Sequence, residues 1–339
     1  AFYPLKAINE LRRKGLALLE EQVILANGFP YERTSEKAPT LADDGDFRKN
    51  DSIKSQKSDE KWAITIRTPE QWQGFCSSSF WKDPVRTAGQ LRLYLDADFL
   101  LQDPSAAEKI LRSLTEKEIQ SVIALPKILR LRDGRQYLEK LRKLLLENLA
   151  YINGFQAANM EHIALLKQWN FTGKEIYGDH SLYLWNRTSR DFWKAFLDGY
   201  CLPLELNAAE QRDILDPAFP AEKVIYGRIP MMVTANCVQK TTDRCQPQEN
   251  PKALDLIDRY HKRFPVQRNC THCFNVIYNS VPLSLHKELC KWSGLVTGRL
   301  DFTTENETET LEVLEYFAGT RKELPYGEYT TGHEKRGVE

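Results

Sequence analysis

Apolar residues recur at helical spacing from residue 5 to 26, at Leu5, Ile8, Leu11, Leu16, Leu18, Leu19, Val23 and Ile24. That period predicts an amphipathic helix ending near Asn27-Gly28. The following stretch, YERTSEKAPTLADDGDFRKNDSIKSQKSDEK, is polar and almost free of large apolar residues, so it reads as a linker. From Trp62 the pattern changes to short β-rich runs: WAITIRT (62–68), LRLYLDADFLL (91–101), SVIALP (121–126), LAYINGFQ (149–156), KEIYGDHSLYLW (174–185), GYCLPLEL (199–206) and KVIYGRIPMMVT (223–234). Most are separated by amphipathic stretches such as PSAAEKILRSL, GRQYLEKLRKLLLEN, NMEHIALLKQW and RDFWKAFLD. Strands alternating with helices imply right-handed crossovers and a parallel sheet.

The expected fold is therefore α/β, a TIM-like barrel, either incomplete or closed by another segment, with a Cys-rich C-terminal β extension. An open doubly wound sheet is the competing fold, but no GxGxxG follows the first strand. The expected boundaries are a connector helix at 1–28, a linker at 29–61, the barrel at 62–234 and a cysteine-bearing extension at 235–339. In that extension FNVIYNSVPLSL reads as strand, Asn-Ser turn and return strand. LDFTTENETET reads as a polar lead into the helix LEVLEYFAG, and YGEYTTGHEKRGVE as too polar to pack alone.

Composition narrows the function classes only modestly. Of 339 residues, 42% are hydrophobic and 28% charged, with 47 basic and 47 acidic side chains, so the formal net charge is zero. Neutrality leaves nucleic-acid binding to a local basic patch. No apolar run approaches 18 residues, and no basic start precedes an apolar segment. These features point to a cytoplasmic protein without a membrane partner. The opening without Met suggests a piece of a longer chain.

Seven cysteines in a chain without secretory features argue against a disulfide framework. Four of them, Cys237, Cys245, Cys270 and Cys273, form C-x7-C-x24-C-x2-C in CVQKTTDRC and RNCTHCF. A C-x2-C turn lets two thiolates converge on one ion, and the polar neighbours Arg244, Gln246, Arg268, Asn269 and His272 are poor company for core thiols. A metal site is the favoured reading; four thiolates suit zinc as well as an iron–sulfur cluster. His272 reads as a solvated loop residue, and His180 as a lone histidine with a satisfied hydrogen bond. His333 falls in the polar tail. Asp96 and Asp98 read as a solvated strand end, since no further carboxylate stands at matching spacing.

YGRIPMMVTANC, the FPV-x3-C-x2-C run and VIYNSVPLSL together resemble the C-terminal half of long, two-barrel members of the collagenase-like peptidase family U32. GFQAANMEHIALL, IYGDHSLYLWN, LPLELN and TTGHEKRGV extend the resemblance from about Trp62 to the end. It implies a [4Fe–4S] cluster on the four cysteines, zinc being the alternative, and hydroxylation of ribosomal or transfer RNA bases. It also implies a missing N-terminal barrel half as partner. The family name implies proteolysis instead, although no HExxH, GxSxG or defensible Cys–His pair is present. A third option is a non-catalytic half in which zinc fixes a loop and the barrel binds RNA.

On the hydroxylase reading, strand-end residues form the site: Asp179, Glu205 and Arg228 in catalysis, Arg67 and Asn186 on substrate. The carboxylates would transfer protons or bind a base edge, and a guanidinium fork would hold phosphate or carboxylate. Lys127, Arg130, Arg132, Arg135, Lys140, Arg142 and Lys143 are the densest basic stretch. Interleaved Asp133, Glu139 and Glu147 favour a solvated helix face over a phosphate track.

Overall fold

The computed structural model describes residues 5–27, 61–83, 90–129, 134–171, 173–242, 244–245 and 254–337. The chain divides into two compact units, Ala1–Ser55 and Gln56–Glu339. The first contains the helix foreseen from the periodicity, α1 (Leu5–Asn27). Most of the expected linker, and Arg130, Arg132, Asp133 and Gln246, lie outside the described residues.

The second unit is a closed barrel. Seven strands follow in order: β1 (Trp62–Ile66), β2 (Leu91–Asp96), β3 (Gln120–Ala124), β4 (Gly154–Ala157), β5 (Glu175–Gly178), β6 (Gly199–Cys201) and β7 (Ala221–Gly227). Each pairs in parallel with the next. The eighth, β13 (Thr297–Asp301), pairs in parallel with both β7 and β1 and closes the ring. The helix that follows it, α11 (Glu307–Ala318), packs back on α2 (Pro69–Ser77). That contact is close enough that a Cβ on Gly74 would lie 2.6 Å from the Glu307 carbonyl oxygen.

Alternation along the strands sorts the two faces. In β2, Leu91, Leu93 and Leu95 join the main apolar cluster with Trp62, Ile64 and Ile66 of β1 and Leu300 of β13. Arg92 and Tyr94 turn inward instead, both contacting Glu222 of β7. Removing the outer row from water drives closure, at about 25 cal/mol per Å² of apolar surface.

Between β7 and β13 the chain makes a long excursion. Here the structure departs from the sequence reading. KVIYGRIPMMVT is two strands, because the chain breaks at Gly227 and β8 (Pro230–Thr234) enters another sheet. Gly227 has φ +145°, and a Cβ there would lie 2.4 Å from the Asp301 carbonyl oxygen, so no other residue fits without strain. The second sheet is antiparallel, in the order β8, β11 (Phe274–Tyr278), β10 (Arg263–Asn269), β9 (Leu254–Ile257). FNVIYNSVPLSL is not a hairpin. Its first half is β11, while β12 (Leu283–Ser284) pairs antiparallel with β7. The barrel accordingly leaves residues 228–296 outside its ring and resumes at 297, beyond the expected boundary at 234. The polar tail is anchored: Glu334 is buried, 2.8 Å from Lys223, and accepts from the Trp292 indole at 2.9 Å.

Candidate functional site

A cleft of about 130 Å³ opens at the C-terminal ends of β1 to β5. The strand ends supply Arg67, Asp96, Lys127, Gln156 and Asp179; the antiparallel sheet supplies a roof that includes Arg268, Cys270, Phe274 and Tyr278. This is the face where TIM barrels build sites.

Asp179 is the most heavily partnered group in the cleft. Its Oδ1 accepts from Gln156 Nε2 at 3.2 Å and lies 3.4 Å from Arg299 Nη1. Its Oδ2 accepts from Ser181 Oγ at 2.9 Å, with Lys127 Nζ and His180 Nε2 each at 3.7 Å. Burial alone would favour the neutral acid, but His180, Lys127 and Arg299 outweigh it and hold the carboxyl well below its ordinary value. Burial pushes His180 itself down to about 4, so it is neutral near pH 7. Arg67 is tied down by Asp301 at 2.9 Å and by the Phe302 carbonyl.

Asp96 and Asp98 are not a solvated strand end. Asp96 Oδ1 accepts from the backbone N–H groups of Asp98 (2.9 Å) and Phe99 (3.2 Å), capping the helix α4 (Ala97–Gln102). Burial, and then the nearby Asp98 charge, push its acid up to about 7 against the pull of Arg67. Asp98 moves the other way. Burial opposes ionisation, but His272, Tyr137 and Asn269 hydrogen-bond the carboxylate and lower its acid. Two neighbouring carboxyls pushed apart in this way suit proton transfer.

The same contacts correct the expectation for His272. It is 2% exposed, lies 3.4 Å from Asp98 through Nε2, and meets the Tyr137 ring edge-on at 4.5 Å. Asn269 Nδ2 also donates to Asp98, at 2.8 Å, and its Oδ1 takes the His272 backbone N–H at 2.7 Å. CTHC is thus the turn between β10 and β11, latched to the barrel through Asp98.

Cys270 and Cys273 sit in that turn, and Cys237 follows β8, whose residue Thr234 pairs with Asn275 of β11. Three of the four cysteines therefore share one end of the sheet, and Cys270 lines the cleft. Cys237 and Cys270 are half-buried, Cys245 and Cys273 exposed. A cluster or zinc ion needs three or four ligands at bonding distance. Among the described residues no three His, Cys, Asp or Glu side chains come together that way.

The remaining expected site residues are spread out. Arg228 donates from Nη1 to the carbonyls of Asn279 (3.1 Å) and Ser280 (2.7 Å), so it holds the corner where the chain returns from the second sheet. The Asn186 side chain is committed to capping α8 (Arg187–Lys194). Glu205 lies outside the cleft lining; burial, and then the nearby Glu205 carboxylate, raise the Tyr183 phenol. Arg135, Lys140, Arg142 and Lys143 are exposed on α6 (Gly134–Glu147), as a solvated face requires.

Lys127, grouped in the sequence with the basic stretch, stands in the cleft instead, 3.7 Å from Asp179, and Gln156, Arg299 and Tyr278 join it without having been singled out. For Gln156 and Arg299 the available signal was a polar residue at every second position of a strand. His162 was missed as well. It is fully buried, bonds the Pro126 carbonyl at 3.0 Å through Nε2 and takes the Ala158 N–H at 3.1 Å, joining two walls of the cleft. Burial lowers it to about 4.

Fold and cleft together define a TIM-barrel protein with a site at the C-terminal face, roofed by an inserted sheet. No protein-family model and no curated protein matches the chain. It is similar to a Coccidioides immitis structure assigned provisionally as a fructose-1,6-biphosphate aldolase (TM-score 0.33, 10% identity, 49% of this chain and 65% of that one). A dipeptide epimerase from Methylococcus capsulatus gives 0.29 and 15%, over 49% and 48% of the two chains. A xylose isomerase domain protein from Planctomyces limnophilus gives 0.31 and 10%, over 78% and 97%. The chain thus spans less than two thirds of the first two. Among the described residues no helix is long and apolar enough to cross a membrane.

Proposed function

We propose that the cleft binds one base of an RNA and positions it for modification, hydroxylation being the reaction implied by the U32 resemblance. The observation that carries this reading is the lining. Within about 130 Å³ the cleft offers donors (Lys127, Gln156), acceptors (Asp96, Asp179) and three aromatic residues, Phe99, Phe274 and Tyr278. Side chains of this kind hydrogen-bond base edges and stack on base faces. The volume falls below the roughly 300–1,000 Å³ of drug-sized ligand sites, which suits a single flipped-out base better than an extended peptide. Asp179, held ionised, accepts from an exocyclic amine or ring N–H. Asp96 caps α4 through Oδ1 and lines the cleft with its acid raised to about 7, so it is the proton-transfer group of this reading.

The test is incubation of the protein, purified anaerobically, with single-stranded RNA and cell extract as the source of oxygen donor, followed by nucleoside mass spectrometry. A nucleoside heavier by one oxygen, lost in Asp179→Asn, is the expected result. Its activity profile should inflect near pH 7, and Asp96→Asn should remove that inflection. Cleavage of gelatin or casein, with RNA unbound, would overturn the reading in favour of a peptidase. Iron, sulfide and zinc analysis of the same sample reports on the cysteines. Iron and sulfide in equal amounts, lost in Cys270→Ser, would place an electron carrier beside the cleft.

A further inference from the structure

The loop after β5 has a strict in-and-out pattern. Leu182 and Leu184 are 9% and 0% exposed and belong to the second apolar cluster, whereas Tyr183 and Trp185 are 53% and 40% exposed. Asn186 then starts α8 with a capping box, so the loop is fixed at both ends. The two rings stand 6.4 Å apart at 41°. Single exposed apolar residues are ordinary, but this pair carries a structural cost. Tyr183 has φ +51°, a left-handed conformation that a bulky residue rarely adopts. The Asn186 cap and the buried Leu182 and Leu184 on either side of Tyr183 fix the ring outward.

Asp179, in the cleft wall, is six residues before Trp185. The cleft lining comes from β1 to β5 and the roof; Tyr183, Trp185 and Glu205 stand outside it on the same face of the barrel. Met160, 53% exposed at the start of α7 (Met160–Trp169), adds apolar surface after β4.

We propose that Tyr183 and Trp185 form a stacking platform for the nucleotides flanking the base in the cleft, so that single-stranded RNA crosses the open side of the barrel mouth. The proposal rests on the RNA reading above. Aromatic faces set out beside a polar, base-sized cleft match a strand whose every unit has a π-face, and such stacking tolerates any sequence.

The test is fluorescence-anisotropy titration of a labelled single-stranded RNA oligonucleotide, with and without an abasic nucleotide beside the target base. Trp185→Ala and Tyr183→Ala should each weaken binding about tenfold. The salt dependence should stay unchanged, because neither ring carries charge. Trp185→Phe should recover most of the affinity. The abasic substitution should weaken wild type but not Trp185→Ala any further. Wild type and Trp185→Ala binding RNA equally would overturn the platform alone, as would an equal abasic penalty in both. Wild type that binds no RNA, or that binds proline-rich peptide through Trp185 instead, would overturn the RNA reading and the platform together.

Discussion

Arg299 shows how a charge survives inside a barrel. It is 1% exposed, with Asp179 at 3.4 Å, Glu222 at 3.8 Å and the Tyr94 ring at 4.5 Å from its guanidinium carbon. Glu222 Oε2 has no hydrogen-bond partner, so the Arg299 charge is its main compensation on that side. Removing one member of a buried ionic set leaves the others uncompensated and typically costs about 3–5 kcal/mol. Arg299→Met should therefore lower the unfolding free energy by that order, read as a lower denaturant midpoint at unchanged m, more than its loss of volume explains. It should also raise the acid of Asp179, which a carbonyl infrared band or NMR titration would detect. Asp98 acts at the same scale, as one carboxylate serving Tyr137, Asn269 and His272 across two structural elements.

Among the elements, the β10–β11 hairpin depends on that carboxylate. Asp98→Ala should loosen the CTHC turn by roughly 1–3 kcal/mol, the usual penalty for leaving buried partners unsatisfied. Hydrogen exchange at residues 269–273 would rise selectively while the barrel strands stayed protected; uniform loss of protection would refute a local latch. Elements also differ in how plainly the sequence announced them. β1 and β2 were legible because apolar residues fill every outward position. β13 was hidden, since its inward residues are Arg299 and Asp301 and one outward position is Gly298. The hydrophobic pattern of TGRLD is erased by the ion network it enters. The β7–β8 break was overlooked because Gly227 and Arg228 interrupt an otherwise continuous apolar run. Asp179 and Arg67 could be placed at strand ends by counting. The roles of Asp98, His272 and the roof could not, because they arise from contacts across some 170 residues of sequence.

For the whole molecule, the shifted groups set a pH window. Asp301, which burial would raise but Arg67 and Arg299 pull down to about 2, contributes stability above pH ~4 that is lost as pH falls toward 2. Asp179 has the same sign. His162 and His180, lowered to about 4, contribute above pH ~6.5 and lose it as pH falls toward 4. Asp96 has the opposite sign, because its acid is raised. Its contribution is complete below pH ~4 and disappears as pH rises through about 7. Melting temperature should therefore fall steadily below pH 6.5, and Asp96→Asn should be more stable than wild type at pH 8. No gain at pH 8 would show that Asp96 ionises freely in the folded protein.

Closure by β13 also has a consequence in time. Arg67, just past the first strand, and its partner Asp301, at the end of the last, are 234 residues apart. At synthesis rates of about 5–20 residues per second, the first strand waits roughly ten to fifty seconds for the one that seals it. Through that interval β1 is a bare edge, joined by β7 over the last about 70 residues before β13, and both are open to pairing with other nascent chains. Ribosome-bound chains stopped before residue 297 should engage chaperones persistently, and those extended past 318 should release them.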